Sequence, residues 1–190
     1  MVDLVFTLPN ILTLLRILAV PLFAIAVWYG QMLDACLLFI GAGLTDLLDG
    51  YLARRFNQRS NLGAILDPAA DKLLMTTAFL LMAFPRENWV VRIPPWVAFL
   101  AIARDVVISL VALMARADFD PARFRPSFLG KANTFVELVT VSLTLLMNTI
   151  GPYPWYGYLV PWIYYLMATM VLASGIHYWF RTTGPGPVRP

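Results

Sequence analysis

Four aspartates stand where an apolar chain would ordinarily carry none. In the stretch DLLDGYLARRFNQRSNLGAILDPAAD, Asp46, Asp49, Asp67 and Asp71 interrupt two runs rich in leucine, isoleucine and alanine. On a helix, Asp46, Asp49, Gly50 and Ala53 fall at i, i+3, i+4 and i+7 and share one face, with Arg54 beside it. Gly63, Asp67 and Asp71 repeat at four-residue spacing on the next segment. A short connection lets the two helices pack antiparallel, so the two acidic faces converge near the same ends. A charge at mid-membrane costs about 2.5–3.5 kcal/mol, and four uncompensated ones would cost on the order of 10 kcal/mol. Arg54, Arg55, Arg59 and Lys72 are the bases in or beside these segments, and they leave much of the mutual repulsion of the acids in place. Divalent cations would remove it. An all-oxygen donor set suits Mg²⁺, Mn²⁺ or Ca²⁺ better than zinc, which prefers histidine and cysteine. Two such ions about 3.5–4 Å apart form a clamp for a phosphoryl group undergoing in-line displacement.

Two other readings compete with that chemistry. The acids could be membrane aspartates paired with Arg and Lys for packing alone, but two helical pairs with interleaved glycines exceed what packing needs. They could belong to an ion or proton transporter, whose charges sit at the midplane on broken helices repeated in both halves. Here the cluster occurs once, with arginines beside it.

The elements that must position these residues follow from composition. Of 190 residues, 60% are hydrophobic and 13% charged, with a mean hydropathy of +0.72. That apolar load exceeds what a soluble domain of this length can hide, and implies an all-α, polytopic membrane protein. A membrane-spanning helix takes about 20 apolar residues. Six stretches qualify: roughly 9–29, 34–54, 62–84, 94–114, 131–150 and 158–180, separated by Tyr29-Gly30-Gln31, the polar run from Arg55 to Asn61, Pro85 to Pro95, Asp118 to Pro126 and Gly151 to Gly157. Residues 1–190 read as one transmembrane domain, with 181–190 a flexible tail.

With six spans, Arg54, Arg55, Arg59, Arg116, Arg123, Arg125, Lys131, Arg181 and Arg189 fall on one side and Arg86 and Arg92 on the other. The excess of Lys and Arg on cytoplasmic loops then puts both termini and the 55–61 loop in the cytoplasm. Tyr153, Trp155, Tyr156, Tyr158 and Trp162 are expected to form an aromatic belt at the outer interface. The N-terminus lacks the basic start and cleavage site of a signal peptide, so the first span is expected to stay. Cys36, the single cysteine, excludes an internal disulfide and a cysteine metal cluster and reads as a small buried apolar residue. The net charge of +3, without an aromatic-basic pattern, does not point to nucleic acid.

The spacing Asp46-x2-Asp49-Gly50-x2-Ala53-Arg54-x8-Gly63-x3-Asp67-x3-Asp71 resembles the signature of the CDP-alcohol phosphotransferases, with all eight fixed positions present. Members of that family are six-helix membrane enzymes, usually homodimers, in which a CDP-linked lipid such as CDP-diacylglycerol gives its phosphatidyl group to an alcohol and releases CMP, with Mg²⁺ or Mn²⁺ required. The resemblance implies that Asp46, Asp49, Asp67 and Asp71 hold two metal ions against the CDP diphosphate and that Asp71 also takes the proton of the attacking hydroxyl. It implies that Gly50, Ala53 and Gly63 admit the nucleotide and that Arg54 grips phosphate oxygens, a task suited to the forked donors of a guanidinium.

Further positions extend the expected site. In LPNILTLLRILAVP, Asn10, Thr13 and Arg16 recur at i, i+3 and i+6. LPNxLTxxR resembles the opening of phosphatidylglycerophosphate and cardiolipin synthases, which implies that Thr13 and Arg16 approach the donor phosphates; a capped helix start with a snorkelling Arg is the plainer alternative. Arg104 lies within the fourth span in IARDVVIS, which resembles a segment lining the acceptor pocket, an interhelical salt bridge being the alternative. Lys131 and Asn133 in RPSFLGKANTFVEL are expected to open the fifth helix beside the same cavity, or else to serve as a loop charge and a helix cap. Lys72 balances the acids, and His177 reads as packed and hydrogen-bonded. For the acceptor, glycerol-3-phosphate enzymes usually read A-R-E and G-K-x-K-T-x-x-Q where this chain has Ala103-Arg104-Asp105 and Gly130-Lys131-Ala132-Asn133-Thr134-Phe135-Val136-Glu137. K-x-N-T and R-D-V look more like cardiolipin synthases of eukaryotic type, whose acceptor is phosphatidylglycerol, while Glu137 departs from both patterns.

Overall fold

The computed structural model describes residues 8–55, 63–84, 89–118 and 128–183, with side chains described over 10–45, 66–84, 89–110 and 128–179. All six regular elements there are helices: α1 (Leu8–Trp28), α2 (Met32–Arg55), α3 (Gly63–Ala83), α4 (Pro95–Asp118), α5 (Phe128–Ile150) and α6 (Tyr156–Thr183). Each expected span has become one of them. At about 1.5 Å per residue even the shorter ones reach the ~30 Å of a hydrocarbon core. By length and composition, Asn10–Trp28, Phe128–Ile150 and Tyr156–Trp179 are apolar enough to cross a membrane, and Met32–Thr45 is a shorter apolar stretch. α3 and α4 are the helices interrupted by Asp67, Asp71 and Lys72, and by Arg104 and Asp105.

Local chemistry sets the ends. Gly30, at φ 74°, closes α1: its N–H donates to the Val27 carbonyl at 3.1 Å, and the Gln31 N–H reaches back to Ala26 at 2.9 Å. That pairing is the Schellman arrangement, which needs a left-handed residue at its turn. Gly151, at φ 102°, ends α5 with a single bond from its N–H to the Met147 carbonyl at 3.2 Å. α4 begins at Pro95, where a missing N–H costs nothing, and the Pro94 carbonyl accepts from Val97 and Ala98. Several boundaries lie a few residues outside expectation, and α5 for one starts at Phe128 rather than near 131. α4 runs on to Asp118 and α6 to Thr183, so the first residues of the expected tail are helical. Apolar periodicity marks the part of a helix inside the membrane; backbone hydrogen bonding carries the helix beyond it.

The chain divides into two compact units, one comprising residues 1–93 and 141–154, the other 94–140 and 155–190. In the first unit α1 packs against both α2 and α3, with Phe23 and Phe39 rings 5.8 Å apart at the α1–α2 contact. Its buried apolar residues include Val27, Phe79, Met82, Ile93 and Leu145, and Cys36 is buried there as expected. In the second unit α4 packs on α6, where Trp96 and Tyr165 lie 6.3 Å apart and Val97, Ala101, Met167 and Val171 are buried. The exposure pattern suits lipid rather than water. Leu15, Leu18, Leu22 and Ile25 of α1 are exposed, whereas Asn10, Thr13 and Arg16 of the same helix are buried. Tyr153, Trp155, Tyr158 and Trp162 are exposed in keeping with a belt; Tyr156 is instead buried, its ring edge-on to Trp155 at 4.5 Å. His177, expected to be packed, is exposed on α6.

Candidate functional site

α3 carries the described half of the acidic signature. Gly63 is its first residue, and Asp67 and Asp71 follow one turn apart, both half-buried. Pro68 sits between them inside the helix. It has no N–H for the carbonyl four residues earlier, so the backbone loses one rung beside Asp67. Asp46, Asp49, Gly50, Ala53 and Arg54 lie on the continuous α2 backbone at the register that places the first four on one face, while the side chains of residues 46–65 lie outside the described residues.

α1 supplies the contact to this acid. Asn10, Thr13 and Arg16 have exposures of 2%, 0% and 1%, which marks their line as the inward face of α1. The Thr13 hydroxyl donates to Oδ1 of Asp67, across 54 residues of sequence. Thr13 had been expected to approach donor phosphates; its hydroxyl hydrogen goes to an aspartate of the signature. A buried hydroxyl in an apolar helix must find an acceptor, and the acid supplies one.

The donor set fits a hard divalent ion. Asp67 and Asp71 offer carboxylate oxygens at one-turn spacing, and the bond from Thr13 engages Oδ1 of Asp67 and not Oδ2. Among the described residues no group of three or more His, Cys, Asp or Glu side chains gathers; Asp46 and Asp49 lie outside the residues whose side chains are described.

The expected acceptor residues belong to the second unit. Arg104 donates from one guanidinium nitrogen to Asp105 at 2.6 Å and from another to the Ser174 hydroxyl of α6 at 2.7 Å. The ion pair is thus between sequence neighbours, and the interhelical link is a hydrogen bond rather than the salt bridge weighed above. Asn133 does not cap α5, which begins five residues earlier at Phe128. It is fully buried, and its Nδ2 donates at 2.6 Å to Glu137, itself 1% exposed. Lys131 is exposed. Ser174, buried at 1%, was not anticipated; a lone serine on an apolar helix is too common a packing residue to signal a partner for Arg104.

The profile of the CDP-alcohol phosphatidyltransferase family matches residues 6–177, a span holding the acids, the α1 polar face and the α4–α6 contact. The chain belongs to the CDP-alcohol phosphatidyltransferase family. As such it is an enzyme of phospholipid synthesis with an all-helical membrane fold. Among similar proteins is the "CDP-diacylglycerol--glycerol-3-phosphate 3-phosphatidyltransferase" of Escherichia coli, 31% identical over 91% of this chain and 93% of the relative. The protein of the same name from Salmonella typhimurium is 32% identical with the same coverage. The "Cardiolipin synthase (CMP-forming) / mitochondrial hydrolase fusion protein" of Schizosaccharomyces pombe is 36% identical over 92% of this chain, which spans 31% of the length of that fusion. This phosphatidyltransferase therefore has relatives named for two different reactions.

Proposed function

We propose that this phosphatidyltransferase moves the phosphatidyl group of CDP-diacylglycerol to a hydroxyl of phosphatidylglycerol, forming cardiolipin and CMP. The observation that carries the chemistry is the complete acidic signature on α2 and α3 of a chain matched by the family over residues 6–177. The acceptor oxygen forms a bond to the lipid-bearing phosphorus, the bond from that phosphorus to the CMP oxygen breaks, and the hydroxyl proton passes to Asp71, the general base. Asp46, Asp49, Asp67 and Asp71 would hold two divalent cations, Mg²⁺ or Mn²⁺, which when bound offset the charge of the diphosphate and of departing CMP. Gly50, Ala53 and Gly63 line the nucleotide's approach, and Arg54 and Arg16 bind phosphate oxygens. Arg104, Lys131 and Asn133 belong to the acceptor side.

Phosphatidylglycerol is preferred because of the Asn133–Glu137 pair. The segment that in glycerol-3-phosphate enzymes reads G-K-x-K-T-x-x-Q here replaces a lysine by Asn133 and a glutamine by Glu137. Both are buried and bonded to each other. A compact phosphate dianion needs cations, whereas the terminal glycerol of a lipid needs only neutral donors and oxygen acceptors. A second reading, transfer to glycerol-3-phosphate, is favoured by the bacterial relatives that this chain matches over 93% of their length. The enzyme would act as a homodimer in the inner membrane, with both termini and the active site facing the cytoplasm.

Purified protein given CDP-diacylglycerol and Mn²⁺ should release CMP and yield cardiolipin, identified by mass, with phosphatidylglycerol as the acceptor and not with glycerol-3-phosphate, and EDTA should stop both the release and the product. Phosphatidylglycerophosphate as the sole product supports the second reading; no CMP with either acceptor ends both.

A further inference from the structure

We propose that Thr13 is a positioning residue for the metal-ligand carboxylate of Asp67 and not a contact to the donor's phosphates. The inference rests on the functional reading above, in which Asp67 ligates a divalent cation, and it adds a role on a helix that carries none of the acids. Thr13 is fully buried, with 0% exposure, at the middle of the polar line Asn10–Thr13–Arg16 of α1, and its hydroxyl donates to Oδ1 of Asp67 on α3.

A threonine hydroxyl has one hydrogen to give. Ionised phosphate oxygens only accept, so that hydrogen can serve the aspartate or a phosphate but not both. Two consequences follow from giving it to Asp67. The rotation of the carboxylate is restricted, with Oδ1 turned to α1 and Oδ2 left for the cation. And because Pro68 removes a backbone rung next to Asp67, the side chain benefits from an anchor on a second helix. Groups of this kind, which orient a ligand without touching the metal, typically change metal affinity or activity by 10- to 100-fold when removed. The γ-methyl of Thr13 contributes only packing, so serine should preserve the effect and valine, of nearly equal size, should abolish it.

The test uses the full-length protein in detergent or nanodiscs, with Mn²⁺ as the probe, bound and free ion being distinguished by paramagnetic resonance. T13V should weaken Mn²⁺ binding by 10- to 100-fold, and T13S should stay within about threefold of the wild type. At saturating Mn²⁺ the T13V enzyme should recover most of its kcat, with its KM for CDP-diacylglycerol little changed. Placed in a D67N background, T13V should produce no further loss of Mn²⁺ affinity, since its route of action is gone. Wild-type Mn²⁺ affinity in T13V together with a raised KM for CDP-diacylglycerol would overturn the assignment and return Thr13 to the phosphates, leaving the proposed reaction intact. A wild-type protein that binds no Mn²⁺ overturns this inference and the metal-dependent reading together. Melting of each variant in EDTA reports the fold; if T13V is not recovered folded, T13A and T13S carry the same comparison.

Discussion

Replacing Asn148 with alanine should release the segment before α4. Asn148, near the end of α5, holds that segment through its backbone. Its Oδ1 accepts from the N–H of Val90 at 2.8 Å and of Val91 at 3.1 Å, and its Nδ2 donates to the Val91 carbonyl at 2.7 Å and to Thr144 of its own helix at 2.8 Å. Val90 is 36% exposed, so water can replace its bond at little cost; Val91 is 7% exposed, and its N–H and carbonyl would be left buried and unsatisfied. At about 0.5 kcal/mol for the first and a little over 1 kcal/mol for each of the other two, N148A should cost about 3 kcal/mol, roughly a hundredfold in the local opening equilibrium. Arg92 lies in this segment and is exposed, which supplies the assay. Limited trypsinolysis in detergent, scored by mass as cleavage between Arg92 and Ile93, tracks the open population when closing outpaces cleavage. N148A should cleave 30- to 100-fold faster than wild type. N148D, which keeps the acceptor but loses the donor to Val91, should fall between them. Cleavage of N148A within threefold of wild type would refute the idea that this side chain latches the segment.

Other outcomes follow from single contacts. D71N should lower kcat for CMP release by about 10²–10⁴-fold with an unchanged elution profile, since a general base contributes on that scale. R104M should destabilise the protein by about 2 kcal/mol in mixed-micelle unfolding, because it removes the ion pair to Asp105 and the hydrogen bond to buried Ser174. S174A should cost only about 1 kcal/mol, and the double variant less than the sum. G30A should cost about 1 kcal/mol through backbone strain alone, as φ is 74° and a Cβ there would meet nothing within 4 Å; an unchanged melting temperature would show that the turn after α1 tolerates a different ending.

The six helices were legible because lipid imposes a simple rule: backbone groups must bond within their own segment, so an apolar run of sufficient length becomes a helix. The acidic signature was legible for a related reason. Carboxylates are so costly in such runs that their spacing alone exposes the face they share. Asn133 and Glu137 stand four residues apart on one helix, and the pairing was within reach of sequence reasoning, although the resemblance drew attention to them as departures from a pattern.

What tertiary structure alone decided is which polar group answers which. Thr13 and Asp67 are 54 residues apart, Asn148 and Val91 57, and Arg104 and Ser174 70. Sequence dictates that each of these groups, once out of water, must find a partner. It does not say which, because that depends on how far each helix rotates about its axis and slides along its neighbour, and those are settled by the packing of residues such as Phe23 against Phe39. The need for a partner is local chemistry, whereas the identity of the partner is a property of the packed helices.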